Sequence, residues 1–444
     1  MKLASIVGHV LELCEIVENN TTPVDKIAWS FFKERHYLGS RDRAKIRAAV
    51  FGMQRNWRYI QAVAKEFYSS HSHDQMLPSG KERFLPLFIA HAYMAAEQPF
   101  DEILKGLADV WGNHYPGVEL SVYQQWLNEH AKDVGNSADI VERYGIKHSF
   151  PDWMVRRLYE QYSNETEALL QGLNKMARIT LRVNLHKISR KECQQRLLNE
   201  GVATTPTEHS PAGLIAEKRY DRMASSAFKE GLYEFQDEGS QLVSLIAHPK
   251  PNELVIDACA GGGGKTLHLN EMMNDTGKII AVDVDMIRMK GLDARIRRSA
   301  IHNIELQTNE TLNRQELLGT ADLVLVDAPC SGIGRIRRSP DIKWRLKESH
   351  VDLYPSKQKG ILEQNADIVK QGGHLVYATC SLFKSENETV VLEFLSSRKE
   401  FILRQPVERM TELGLQSEPD GFIRILPHRY PTDGFFIAVM EKTG

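Results

Sequence analysis

The chain has 444 residues, 42% apolar and 26% charged, a balance that supports buried cores and argues against disordered, collagen-like and coiled-coil readings. With 56 Lys and Arg against 58 Asp and Glu the formal charge is −2, so a uniformly basic coat is excluded, although a local basic face is not. No apolar run approaches the roughly 20 residues that a membrane helix needs, and His9, Glu12, Glu15 and Glu18 interrupt the stretch where a signal peptide would have its core. The 5 cysteines are scattered without a C-x-x-C pair, and the 16 histidines show no ligand spacing. A disulfide framework and a zinc knuckle are therefore not expected, and neither is any other bound metal; a reducing cytoplasm fits better.

Residues 1–147 read as an all-helical domain, because apolar positions recur at helical spacing in Ile46, Ala49, Val50, Met53 and Trp57, and again through Phe84, Leu87, Phe88, Ala90 and Tyr93. Polar breaks at Ser69–Asp74 and Leu77–Gly80 separate helices. A small α/β connector is expected over 148–248. It opens on a helix with Ser149 as N-cap and Pro151 in the first turn, continues with a strand at Ile179–Asn184 and a helix near Lys191–Asn199, and turns loop-rich over Thr204–Gly213. Residues 249–444 alternate strand and helix as a doubly wound, mostly parallel sheet does. Strands are expected at Leu254–Asp257, Ile279–Asp283, Ile304–Gln307, Leu323–Asp327 and His374–Ala378. Helices are expected at Lys265–Met273, Ile287–Ser299 and Lys357–Lys370, with Phe422–Leu426 and Gly434–Met440 closing the chain as an antiparallel hairpin.

The first parallel strand runs into Asp257-Ala258-Cys259-Ala260-Gly261-Gly262-Gly263-Gly264-Lys265-Thr266. Glycines between a strand and a helix let backbone N–H groups approach a ligand at the positive end of the helix dipole. The first glycine of a P-loop falls on Cys259, and the third glycine of a dinucleotide fingerprint is missing, so both of those motifs fail. The first loop of an S-adenosylmethionine site remains. Asp283, at the end of the second strand, suits the ribose hydroxyls of such a ligand, against the plainer role of capping the next helix.

Two further strand ends carry cysteines, Asp327-Ala328-Pro329-Cys330-Ser331-Gly332 and Tyr377-Ala378-Thr379-Cys380-Ser381. Ligands in open α/β sheets bind outside the carboxyl ends of strands, so neighbouring strands would bring both thiols and Asp327 to one crevice. That trio suits methylation at carbon 5 of a pyrimidine. A thiolate added to carbon 6 makes carbon 5 nucleophilic, a carboxylic acid protonates ring nitrogen 3, and a second thiol serves release.

The four segments DACAGGGGKT, the strand-end Asp283, DAPCSG and ATCS resemble motifs I, II, IV and VI of the RsmB/NOP/Sun family of RNA cytosine-5 methyltransferases. Gln236-Asp237-Glu238-Gly239-Ser240, the Arg335–Trp344 stretch and Asp433-Gly434-Phe435-Phe436 match as well, and the RRSPDIKW part of that stretch resembles the bacterial ribosomal-RNA branch. The resemblance implies a Rossmann-like class I methyltransferase domain after the connector and a NusB-like RNA-binding helical domain. In that domain the match rests on Gly39-Ser40-Arg41-Asp42-Arg43. It implies Cys380 as nucleophile, Cys330 in product release, Asp327 against the cytosine and near the cofactor, and Lys265 lining the site. Cys259, Ala260, Gly261, Gly262, Gly263, Gly264 and Lys265 would hold S-adenosylmethionine together with Asp283. In two places the chain departs from the pattern. Gly261-Gly262 replaces Ala-Pro, at an ordering cost of about 1 kcal/mol, and Asn309 replaces the Asp expected to meet the adenine amino group, which its side-chain oxygen can still accept.

Between Met286 and Lys347 there are 12 Lys and Arg against 7 Asp and Glu, and Arg335, Arg337, Arg338 and Lys343 follow the Cys330 loop as candidate RNA contacts. The resemblance adds Arg182 and Asn184, which equally suit polar outward positions of an edge strand. The expected protein is thus a monomeric, cytoplasmic enzyme methylating carbon 5 of cytosine in small-subunit ribosomal RNA. The alternatives are tRNA as substrate, DNA cytosine-5 methylation with Cys330 as nucleophile, and a catalytically weak relative that binds RNA as an assembly factor.

Overall fold

Apolar spacing divides the chain into helix-forming and strand-forming halves, and the computed structural model, which describes residues 2–71, 80–95, 100–115 and 118–443, follows that division. Two compact units result: Met1–Asn174 with Arg338–Lys347, and Lys175–Arg337 with Glu348–Gly444.

The first unit is helical. Ile46, Val50 and Met53 recur every three or four residues on the helix Ser40–Arg55, so one face is buried. Trp57, Ile60, Val63 and Phe67 do the same on Trp57–His71. Phe67 meets Tyr123 with ring centroids 4.5 Å apart, and Trp111 stacks on Tyr115 and Tyr123. Of the expected polar breaks, Ser69 to His71 still belong to the helix Trp57–His71 and Gly80 opens the short helix Gly80–Phe84, while positions 72–79 lie outside the described residues. Ser149 does not cap a helix as expected: the helix Asp152–Tyr162 has Pro151 at its N-cap position, and Ser149 sits at φ 58° with its hydroxyl accepting from the Arg58 N–H at 2.8 Å.

Lys343 is fully buried in this unit rather than presented to RNA. Its ammonium donates to the Arg55 carbonyl (2.7 Å), the Ser149 carbonyl (2.8 Å) and Asn174 Oδ1 (2.7 Å), and lies 4.1 Å from the Phe150 ring centroid. Burial pushes the ammonium well below the usual lysine range. Trp344 Nε1 donates to the Gln54 carbonyl at 2.7 Å. The charge run therefore ends in an internal strut.

The second unit begins with a small antiparallel sheet of β1 (Ile179–Val183), β2 (Thr204–Pro206), β3 (Gly213–Ala216) and β4 (Tyr233–Phe235), in the order β2-β3-β1-β4. Its helix Arg190–Asn199 starts on a capping box made by Ser189 and Glu192. Apolar runs then build β5 (Leu254–Asp257), β6 (Lys278–Val282), β7 (Ile304–Gln307), β8 (Ala321–Asp327), β9 (Val369–Thr379), β10 (Phe401–Arg404), β11 (Ile423–Ile425) and β12 (Phe435–Lys442). The order is β10-β12-β9-β8-β5-β6-β7, with β11 on β12; β5 to β9 pair in parallel and β12 is antiparallel to β9, β10 and β11. The expected helix to Lys370 ends at Ala366, because β9 already begins at Val369. Strand order reverses between β5 and β8, which opens a crevice at their carboxyl ends.

Replacing Lys343 by Met leaves three buried acceptors without their donor, and a loss of about 3 kcal/mol is expected. Thermal unfolding of the helical unit followed by far-ultraviolet circular dichroism checks this, and an unchanged transition would contradict the strut.

Candidate active site at the strand ends

Neighbouring parallel strands β8 and β9, in register through Asp327 and Ala378, deliver Cys330 and Cys380 to the same edge of the sheet. Their sulfurs are 3.4 Å apart. The loops behind them interlock: the Gly334 N–H donates to the Cys380 carbonyl at 2.9 Å, and the Gly434 N–H donates to the Gly334 carbonyl at 2.9 Å. A Cβ at Gly334 would come within 2.2 Å of the Gly434 oxygen, which explains the glycine.

The sulfurs are not equivalent. The hydrogen bond with Cys330 draws the Cys380 thiol below its ordinary range; burial opposes this, and the charges of Arg335 and Lys265 help. The same bond pushes Cys330 up, and so do burial and the charge of Glu386. Cys380 is therefore the more acidic of the two thiols.

Glu386 carried no sequence signal. It is buried and accepts from the Ser331 N–H (2.7 Å), the Ser381 hydroxyl (2.5 Å) and Gln358 Nε2 (3.3 Å). Its partners lie on three separate segments, so spacing along the chain could not reveal it.

Lys265, in the first turn of the helix Gly264–Met272, places Nζ 2.6 Å from Asp327 Oδ2 and 5.0 Å from the Phe435 ring centroid. Thr266 donates to Asp257 Oδ2 at 2.7 Å, tying the end of β5 to that helix across the glycines. Burial pushes the Asp257 carboxyl up to about 6. Gly263 sits at φ 77° with Leu292 Cδ1 2.1 Å from where a Cβ would be, so no other residue fits. Cys259 and Ala260 complete the turn, Ala260 donating its N–H to the Val282 carbonyl at 2.9 Å. Burial pushes the Cys259 thiol up, away from reactivity.

Asp283 does not cap the following helix; Asp285 does, accepting from the N–H groups of Ile287 and Arg288. Asp283 instead accepts the Gly261 N–H at 2.7 Å on Oδ2 and the Asp285 N–H at 2.7 Å on Oδ1. Each oxygen keeps a lone pair for a ligand hydroxyl. At Gly261 and Gly262 the nearest atoms to an added Cβ are 3.9 and 3.7 Å away, so the loop is open above its backbone. Such a cradle fits a nucleoside bearing a vicinal diol. Asn309 is exposed, and its Oδ1 accepts from Arg314 Nη2 at 2.8 Å.

Arg182 and Asn184 do not face RNA. β1 is an interior strand rather than an edge, and both side chains are buried. Arg182 pairs with Glu271 through two bonds (3.0 and 2.7 Å), reaches Gln236, and donates to the Gly264 carbonyl at 2.6 Å. It is a prop of the glycine loop. Asn184 holds the Leu232 carbonyl through its N–H at 2.9 Å. Arg337 is buried too, whereas Arg335 is exposed beside the Cys330 loop. Arg338 is half-buried and belongs with Lys343 to the first unit. Among the described residues, no helix is long and apolar enough to cross a membrane.

Comparison with known proteins gives a consistent picture. The family described as "16S rRNA methyltransferase RsmB/F" matches residues 244–441, and the RsmF/B-like ferredoxin-like domain matches residues 150–222. A probable ribosomal RNA small subunit methyltransferase B of Synechocystis is 35% identical over 346 residues, 76% of this chain and 75% of the relative. A 28S rRNA (cytosine-C(5))-methyltransferase of Mus musculus is 31% identical over 66% of this chain and 39% of its own length. The crystal structure of PH0851 superimposes with a TM-score of 0.73 at 28% identity, covering 98% of this chain and 97% of that one.

If Arg182 is a buried prop, Arg182→Met strands Glu271 and costs about 3–5 kcal/mol, whereas the Arg182→Met/Glu271→Met pair recovers most of the loss. Urea denaturation of the three proteins checks this; a single variant as stable as the parent would contradict it.

Proposed function

The chain belongs to the RsmB/NOP/Sun family of S-adenosylmethionine-dependent rRNA methyltransferases, and on that premise we propose that it methylates carbon 5 of a cytosine in small-subunit ribosomal RNA, with Cys380 as nucleophile. The observation that carries the reading is the pair of sulfurs 3.4 Å apart at the ends of adjacent strands, beside a carboxylate bonded to an ammonium.

The open glycine turn and Asp283 would hold S-adenosylmethionine, which when bound supplies an electrophilic methyl group. Gly261 to Gly264 offer backbone close enough to approach, and the Asp283 lone pairs suit its ribose hydroxyls. Cytosine presents an acceptor at ring nitrogen 3 and a donor at its amino group. The Lys265–Asp327 pair offers a donor beside an acceptor in turn, and uracil presents the reverse pattern.

The Cys380 thiolate adds to carbon 6, its electron pair forming the carbon–sulfur bond, and the ring electrons move toward carbon 5 and nitrogen 3. Lys265 and Asp327 balance the charge that develops at nitrogen 3. Once Cys380 is bonded to carbon 6 it no longer holds the Cys330 proton in place, so Cys330 can pass that proton to solvent and take the one from carbon 5 of the methylated ring. The electrons of that C–H bond restore the double bond and expel Cys380 as thiolate. Arg335, exposed beside the loop, suits a phosphate contact.

Cys380→Ser should abolish methylation of small-subunit rRNA. Cys330→Ala should retain addition but stall release, giving a protein–RNA adduct stable to denaturing electrophoresis. The reversed pattern would make Cys330 the nucleophile, and a wild-type protein that binds RNA without methylating it would favour an assembly factor.

A further inference from the structure

We infer that Glu386 is a positioning residue that pins the two cysteine loops together and sets which sulfur carries the negative charge. This inference rests on the proposed thiolate chemistry, but its test reads the thiols of the free protein and needs no methylation.

Cys330 is held on both flanks. Gln358 Nε2 donates to the Pro329 carbonyl before it at 3.0 Å, and the Ser331 N–H after it donates to Glu386 Oε2 at 2.7 Å. Cys380 is held by the same carboxylate, since Ser381 donates to Glu386 Oε1 at 2.5 Å. The Ser331 hydroxyl donates to the Ser381 hydroxyl at 3.0 Å, so a chain of hydroxyls from both loops ends on one carboxylate. Glu386 is fixed in turn: Tyr377 donates to its carbonyl at 2.5 Å, and Asn387 bridges the Thr379 hydroxyl and the Ser381 carbonyl.

Burial pushes the Glu386 carboxyl above the usual glutamate range, and the three donors from Ser331, Ser381 and Gln358 oppose that shift and favour its charged form. Its charge disfavours a second negative charge on Cys330, whereas Cys380 feels the cations Lys265 and Arg335. Asp327 acts against ionisation of both sulfurs and so does not discriminate between them. The proton is therefore held more tightly on Cys330, which would make Cys330 the donor across the 3.4 Å contact.

Glu386→Gln keeps the shape: the amide oxygen can accept from the Ser331 N–H, and the NH2 can donate to the Ser381 oxygen. Only the charge is lost. Ser381→Ala keeps the charge and removes the link to the Cys380 loop. The experiment is brief alkylation of the free protein with iodoacetamide across a pH series, with label on each cysteine counted by peptide mass spectrometry and folding checked by thermal melting. In the wild type the label should favour Cys380. In Glu386→Gln the Cys380-to-Cys330 ratio should fall about tenfold, and Ser381→Ala should shift it in the same direction. Either variant, folded and keeping the wild-type ratio and pH profile, would overturn the inference. A wild type that labels as expected but does not methylate RNA would leave the role of Glu386 standing and remove the proposed reaction.

Discussion

The 3.4 Å contact between the Cys330 and Cys380 sulfurs is the point on which the catalytic unit converges. Sulfur hydrogen bonds are weak, so the surrounding backbone has to bring the sulfurs together. β8 and β9 are parallel neighbours, which puts both cysteine loops on one edge. The Gly334 and Gly434 turns lock those loops at backbone distance, and Glu386 ties them from below. Preorganisation of this kind spends folding energy so that little motion is needed when the base arrives.

Buried charge recurs as the means of holding irregular segments. Arg182 sits beneath the glycine turn with Glu271, and Lys343 sits within the helical unit with three acceptors. An apolar side chain would fill either space at lower desolvation cost. What an ion adds is direction: Lys343 fixes the Arg55 and Ser149 carbonyls, and Arg182 fixes the Gly264 carbonyl where the helix leaves the glycine turn. The glycine loop gains most, because its two open positions have no side chains to pack.

Much of this was legible in the sequence. Apolar runs gave β5 to β9 within a few residues, and the residues after those strands were readable as one edge, because parallel sheets place successive carboxyl ends together. The two cysteines, Asp327 and Lys265 do meet there. What failed depended on direction rather than position. Arg182 and Lys343 looked like outward charges because charge usually faces water; each is turned inward by partners more than 80 residues away in sequence. Ser149 had the residue type of a cap, yet its left-handed backbone gave its hydroxyl to Arg58. Glu386 sits in an ordinary run of polar residues, and only the closed loops show its reach.

RNA carrying 5-fluorocytosine at the target position gives the most direct measurement of the central claim. Fluorine cannot leave carbon 5 as a proton does, so addition to carbon 6 becomes a dead end once the methyl group is in place. The account predicts a covalent complex, formed only with S-adenosylmethionine present, whose RNA-bearing peptide maps to Cys380. Attachment at Cys330, or no covalent complex with RNA that the protein methylates in its unfluorinated form, would contradict it.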